Sequence, residues 1–181
     1  MPPIGQRGSP QVEEVIPHHE RRLPLPFNSP LETGIRSVGV LVAAYPKAFD
    51  LQRLVAFDYL VVHTGDLGGP ESLHPDLPMR SAELLVRRGL VERGLLLMRS
   101  RGLVEREANA NGILYRAGEF AETFVASLVS PYLVALTERT KWVADVFGNM
   151  EQDTFRETMR GAFGRWIEEF QHVERSIAGE T

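Results

Sequence analysis

Residues Arg87–Arg116 read RRGLVERGLLLMRSRGLVEREANANGILYR, and the order of elements in this stretch decides the fold. Apolar positions at helical spacing run through Met98, and Ser100-Arg101-Gly102 then supplies a glycine stop with cations in the last turn. Leu103 to Glu107 alternates well enough for an edge strand. Asn109-Ala110-Asn111-Gly112 offers the residues that tolerate positive φ in a hairpin turn, and Ile113 to Arg116 returns as a second strand. A helix followed by a β-hairpin is the second half of a winged helix. Such domains read DNA or dock on other proteins, and the remaining residues bear on which.

Working upstream, Ser29-Pro30 with Glu32 three residues on forms a helix start. Leu31, Ile35, Val38, Leu41 and Val42 continue at helical spacing until Tyr45-Pro46 ends the segment. A second helix is expected from Asp50, its natural cap, to His63. It is apolar nearly all round, which places it at the centre of the domain or in an interface. Thr64 to Pro78 is a long Gly- and Pro-rich connection, a length that tends to carry a function. Arg80 to Arg87 reads as a short helix capped near Ser81, distinct from the helix at Arg88–Arg101.

Downstream, Glu119 to about Leu128 is helical, Pro131 interrupts or restarts it, and a helix runs on to Phe147, where Gly148-Asn149 is a stop. Glu151 to Ile177 is the last helix. Met159, Trp166 and Val173 fall a heptad apart, as do Phe163, Phe170 and Ile177, with Phe155 extending the stripe. This stripe packs on its own domain or lies in a partner's groove.

Composition narrows the classes. The chain has 181 residues, enough for one domain with a real core, and 43% hydrophobic against 24% charged content is ordinary for a globular protein. With no cysteines there are no disulfides or thiolate metal sites, which fits a reducing compartment; a cytoplasmic location is expected. No apolar run approaches the roughly 20 residues of a membrane span. The first thirty residues hold seven prolines and charges without an apolar stretch, so they read as extended or disordered and not as a secretory signal.

The net charge of −4 argues against a general polyanion binder, yet Arg80–Arg116 carries eight arginines against four glutamates. A basic region inside an acidic chain suits a local phosphate contact, and equally a mixed solvated surface. Val91, Gly94, Leu95 and Met98 follow core spacing in the helix, which leaves Leu90, Leu96 and Leu97 in excess. Extra leucines on the outer face suit a protein partner better than a major groove, unless later helices of the same chain cover them.

The chain lacks a phosphate-cradling P-loop, an H-E-x-x-H pair and a recognisable nucleophile context, so no catalytic residues are expected. Asp58, His63, Asp66, His74 and Asp76 form the one cluster that could ligate a metal. Their spacing does not force convergence. Asp66 and Asp76 read as turn formers and His74 as a loop-ordering hydrogen bonder, so no metal or cofactor is assigned. Asp58, a carboxylate inside an apolar helix, needs a partner; an arginine within Arg80–Arg88 is expected to supply it.

Pro26-Phe27-Asn28-Ser29-Pro30-Leu31-Glu32, the Asp58-Tyr59 and His63 of FDYLVVHTGD, Ser72-Leu73-His74-Pro75 with Pro78 and Arg80, and Arg87-Arg88 leading into RSRGLV and GILYRA together resemble the middle component of ABC-three-component systems. These are bacterial defence operons that include the Lamassu type. The likeness covers residues 26 to 147. It implies a small non-enzymatic subunit beside an SMC-like coiled-coil ATPase and an effector, often a nuclease. Such a subunit is similar to winged-helix proteins of condensin-like machines. It would dock on the ATPase heads and the effector and help contact DNA.

The expectation is therefore a mainly α protein with a winged-helix domain and additional C-terminal helices. Residues 1–27 form a Pro-rich segment, 28–147 the winged-helix core and 150–178 a C-terminal amphipathic helix. Arg99, Arg101, Arg106 and Arg116 are the candidate DNA contacts. Leu90, Leu96, Leu97, Phe163, Trp166 and Phe170 are the candidate protein interface. The alternatives are a free-standing winged-helix transcriptional regulator and, lower, a metal-dependent hydrolase using Asp58, His63 and His74.

Overall fold

The computed structural model describes residues 29–75, 80–109 and 112–163, with side chains for all of these except 80–86 and 163. The first helix, α1 (Pro30–Ala43), starts as its sequence dictates. The Ser29 hydroxyl accepts from the Glu32 amide at 3.3 Å while the Glu32 carboxylate accepts from the Ser29 amide at 2.8 Å, a complete capping box. A two-residue strand, β1 (Phe49–Asp50), follows. Asp50 then caps α2 (Leu51–Val62), its carboxylate accepting from the Arg53 amide at 2.7 Å. Leu54, Val55, Phe57, Tyr59, Leu60, Val61 and Val62 are all at most 1% exposed, so α2 is the central helix that its all-round hydrophobicity requires.

The helix α3 (Arg80–Arg99) is continuous over 20 residues and not the two pieces read from the sequence. Gly89 sits inside it without breaking it. Arg87, Val91, Gly94, Leu95 and Met98 are buried along one stripe that runs through the expected break, and this packing outweighs the weak helix propensity of glycine. Against α1 the helices touch backbone to backbone: a Cβ on Gly94 would stand 2.7 Å from the Gly34 amide nitrogen and the Pro30 carbonyl oxygen. The Thr33 hydroxyl bonds the Leu90 carbonyl at 3.0 Å across the same crossing.

Gly102 turns the chain at φ +70° into β2 (Val104–Asn109), which pairs antiparallel with β3 (Gly112–Ala117). Asn109 pairs with Gly112, whose φ is +114°; Ala110 and Asn111 of the expected turn lie outside the described residues. The sheet has a third member that sequence reading missed. β1 adds to the other edge of β3, pairing Phe49 with Tyr115 and Asp50 with Leu114, in the order β1-β3-β2.

Three more helices follow among the described residues: α4 (Ala121–Ala126), α5 (Pro131–Phe147), capped by Ser130, and α6 (Gln152–Phe163). Phe49, Phe57, Phe147 and Phe155 form an edge-to-face aromatic chain with centroids 5.1 to 6.2 Å apart, joining β1, α2, α5 and α6. Arg53 lies over the Phe155 ring at 4.7 Å and donates to the Phe147 and Met150 carbonyls, closing the C-terminal end of α5. The protein is thus mainly helical with a small three-stranded antiparallel sheet.

Candidate interaction surface

The surface of interest is built on the exposed side of α3 and the hairpin that follows it. Leu96 is 58% exposed, with Glu92 and Arg93 one turn before it and Arg99 and Ser100 one turn after, all exposed. Arg101 continues the exposed basic edge past the helix end. The other two leucines differ: Leu97 is half-buried and packs against the core, and Leu90 is half-buried. Phe163 closes α6 with its side chain undescribed, and Trp166 and Phe170 lie outside the described residues. Phe155 and Met159, the described part of the same stripe, are 4% and 0% exposed in the domain's own core.

The two faces of the hairpin carry different chemistry. Residues paired across strands project to the same side, so Glu105 with Arg116 and Glu107 with Leu114 share one face, and Arg106 with Tyr115 and Ala108 with Ile113 the other. Arg116 bridges Glu105 at 2.6 Å and Glu107 at 3.0 Å, so its charge is already engaged. Hydrogen bonding to Glu105 and the charge of Glu107 raise its pKa above the ordinary value. Arg106 is exposed on the opposite face. Of the four candidate phosphate contacts, Arg99, Arg101 and Arg106 are exposed and Arg116 is held in an acidic clamp.

Behind α3 the metal candidates separate. Arg36 meets the Asp58 carboxylate through Nε at 2.6 Å and Nη2 at 3.2 Å, and Arg87 meets it through Nη1 at 2.7 Å. Burial alone would push this carboxyl up, but the Arg36 and Arg87 guanidinium groups outweigh it and hold Asp58 below the usual carboxylate range. Arg87 lies in the expected range; Arg36 was missed. No sequence signal singled it out, because Arg36 lies beside Thr33 and Ser37 on a side of α1 that is buried through small and polar residues.

His63 stacks on Tyr59 at 4.5 Å and meets the edge of His74 at 6.1 Å. Tyr59 donates to the Asp66 carboxylate at 2.6 Å, and His74 shares a 3.1 Å hydrogen bond with the Tyr132 hydroxyl. Burial, then the charge of Arg36, pushes His74 down to about 4, so its ring is neutral near pH 7. The structure therefore brings His63 and His74 together but turns Asp58 toward arginines and Asp66 toward a tyrosine. Asp76 lies outside the described residues. Among the described residues no group of three or more His, Cys, Asp or Glu is placed to hold a metal ion.

The long connection after α2 is ordered by its own polar groups. Thr64 donates to the Pro70 carbonyl at 2.6 Å, and the amides of Leu73 and His74 return to the Val62 carbonyl at 3.0 and 3.1 Å. Arg139 of α5 holds the Glu71 carbonyl at 3.1 Å. Through these bonds residues 64–75 pack against α2 and α5.

The described residues form a helical domain with a small hairpin sheet and an exposed helix edge that carries Leu96 among arginines. Residues 26–169 match the family model described as ABC-three component (ABC-3C) system Middle Component 2. The chain belongs to this family, and so is a middle component that works with partner subunits. No curated protein and no solved structure matches the chain.

Proposed function

We propose that this middle component is a winged-helix adaptor without catalysis of its own. In this reading it docks on the heads of an SMC-like coiled-coil ATPase and on an effector, often a nuclease, in a cytoplasmic defence complex of the Lamassu type. It helps the assembly contact DNA. Family membership carries the reading. The order α1-β1-α2-α3-β2-β3 with sheet order β1-β3-β2 supports the winged-helix part, because α3 then takes the place of the exposed helix and β2-β3 that of the wing.

Leu96 among Arg93, Arg99 and Arg101 supports docking through α3, since an exposed leucine flanked by cations fits a partner that brings both apolar and acidic groups. Leu90 and Leu97 back this anchor, and Phe163, Trp166 and Phe170 belong to the proposed protein contact. Arg99, Arg101 and Arg106 are the DNA contacts of the proposal, with Arg116 secondary because of its clamp. No described helix is long and apolar enough to cross a membrane.

Co-expression with the two flanking reading frames, followed by pull-down and mass measurement, tests the proposal. Recovery of a large coiled-coil ATPase with this chain is the expected result. A lone homodimer that binds a palindromic site tightly would overturn it in favour of a free-standing transcriptional regulator.

A further inference from the structure

A cleft lies beneath the hairpin, between the end of α1, the base of β2 and β3, and the start of α4, with a volume of about 680 Å³. That is within the range of sites that enclose a side chain or a small ligand. Half-buried Val42 and buried Ala117 give it an apolar lining, and Tyr45 stands at its edge with 67% of its surface exposed. Glu105, Glu119, Glu122 and Arg116 supply its charge. Arg116 is engaged by Glu105 and by Glu107 outside the cleft, whereas among the described residues no ion pair engages Glu119 or Glu122.

From this arrangement we infer that the cleft receives a lysine- or arginine-bearing segment of a protein partner, an inference that rests on the adaptor reading. The apolar lining accepts the aliphatic stem of such a side chain, the face of Tyr45 attracts its cation, and Glu119 and Glu122 meet the charged head. Phosphate is the wrong occupant, because the carboxylates of Glu105, Glu119 and Glu122 outnumber one clamped guanidinium. The protein then has two sides of opposite sign: the basic edge of α3 at Arg93, Arg99 and Arg101, and the acidic cleft under the wing. One adaptor could hold DNA or an acidic partner on the first and a basic segment on the second.

The test is an NMR titration of the full chain with a capped peptide carrying two arginines and a leucine, with its glutamate counterpart and with spermidine. The arginine peptide is expected to shift the resonances of Tyr45, Glu119 and Glu122, and the glutamate peptide to leave them in place. Glu119→Lys with Glu122→Lys should weaken the arginine peptide by about tenfold or more, with unchanged circular dichroism, since both side chains are exposed. Arg99→Ala with Arg101→Ala should leave it unaffected. No shift at these residues, equal binding of the glutamate peptide, or uptake of spermidine alone would overturn the inference. Failure to recover any partner on co-expression would instead count against the adaptor reading, and the titration decides the cleft independently of it.

Discussion

Asp58 on α2 and Arg87 on α3 meet at 2.7 Å with side chains 0% and 1% exposed, and Arg36 on α1 closes the same carboxylate from the other side. One buried anion therefore ties together the three helices that carry the exposed edge of α3. Removing one member of a buried ion cluster costs several kcal/mol, because the charges left behind lose part of their compensation in a water-poor interior. Asp58→Asn is expected to destabilise the fold by about 3–5 kcal/mol, read by urea unfolding, because two guanidinium groups are left with a neutral partner. A loss under about 1 kcal/mol would mean that the cluster relaxes toward water.

The same carboxylate sets an acid limit. Asp58 binds its proton more weakly in the folded than in the unfolded chain. Its contribution is complete above the unfolded value of about 3.9 and falls away as pH drops below it. The acid limb of a stability profile should flatten in Asp58→Asn, once its lower plateau is taken into account.

His74 predicts a second, milder limb at higher pH. Its folded pKa of about 4 lies below the ordinary histidine value of 6.5, so the unfolded chain takes up a proton first. The contribution of His74 is therefore whole above pH 6.5 and lost progressively down to about 4. His74→Gln should remove that slope in thermal melts taken across this window. An unchanged slope would assign it to other groups.

Much of this architecture was legible because local chemistry and burial agree. The Ser29–Glu32 box, the Asp50 cap and the Gly112 turn were each readable, since each answers a local backbone need. The strand β1 was not, because two residues carry no period and gain their ladder only from β3. The inward side of α1 was read only in part. Of its hydrophobic positions Val38 and Leu41 are fully buried and Ile35 and Val42 pack against the core, but Leu31 is 53% exposed, while Thr33, Gly34, Ser37 and Gly39 are buried. Small residues let α3 and α5 approach closely there, with Gly39 facing Thr140, and close approach leaves no mark in a hydrophobicity pattern. For the candidate surface, the sequence named the exposed arginines but could not show the clamp on Arg116 or the cleft beside it. Both depend on the register of β2 on β3.

Two glycines of α3 should respond to alanine in opposite directions. At Gly94 a Cβ would meet backbone atoms of α1 at 2.7 Å, so Gly94→Ala must push the helices apart and is expected to cost about 1–3 kcal/mol. At Gly89 the nearest neighbour is the Arg93 guanidinium at 3.7 Å, and Gly89→Ala should gain up to about 1 kcal/mol from helix propensity. Chemical unfolding of the pair checks the crossing. Stabilisation by both would show that α1 and α3 do not touch at Gly34 and Gly94.

The hairpin register yields the prediction closest to function. Arg101 and Arg106 are exposed, while Arg116 is shared between Glu105 and Glu107. A phosphate contact at Arg116 must compete with two carboxylates already in place, whereas one at Arg101 or Arg106 displaces only water and counterions. Changing Arg101 and Arg106 together to Glu should therefore weaken DNA binding by the assembled complex and flatten its dependence on salt. Arg116→Gln should leave both nearly unchanged. Gel shifts of the purified complex across a salt series measure the two variants side by side. Equal losses would mean that the clamp opens on DNA, and unchanged binding in Arg101→Glu/Arg106→Glu would move the DNA contact off the wing.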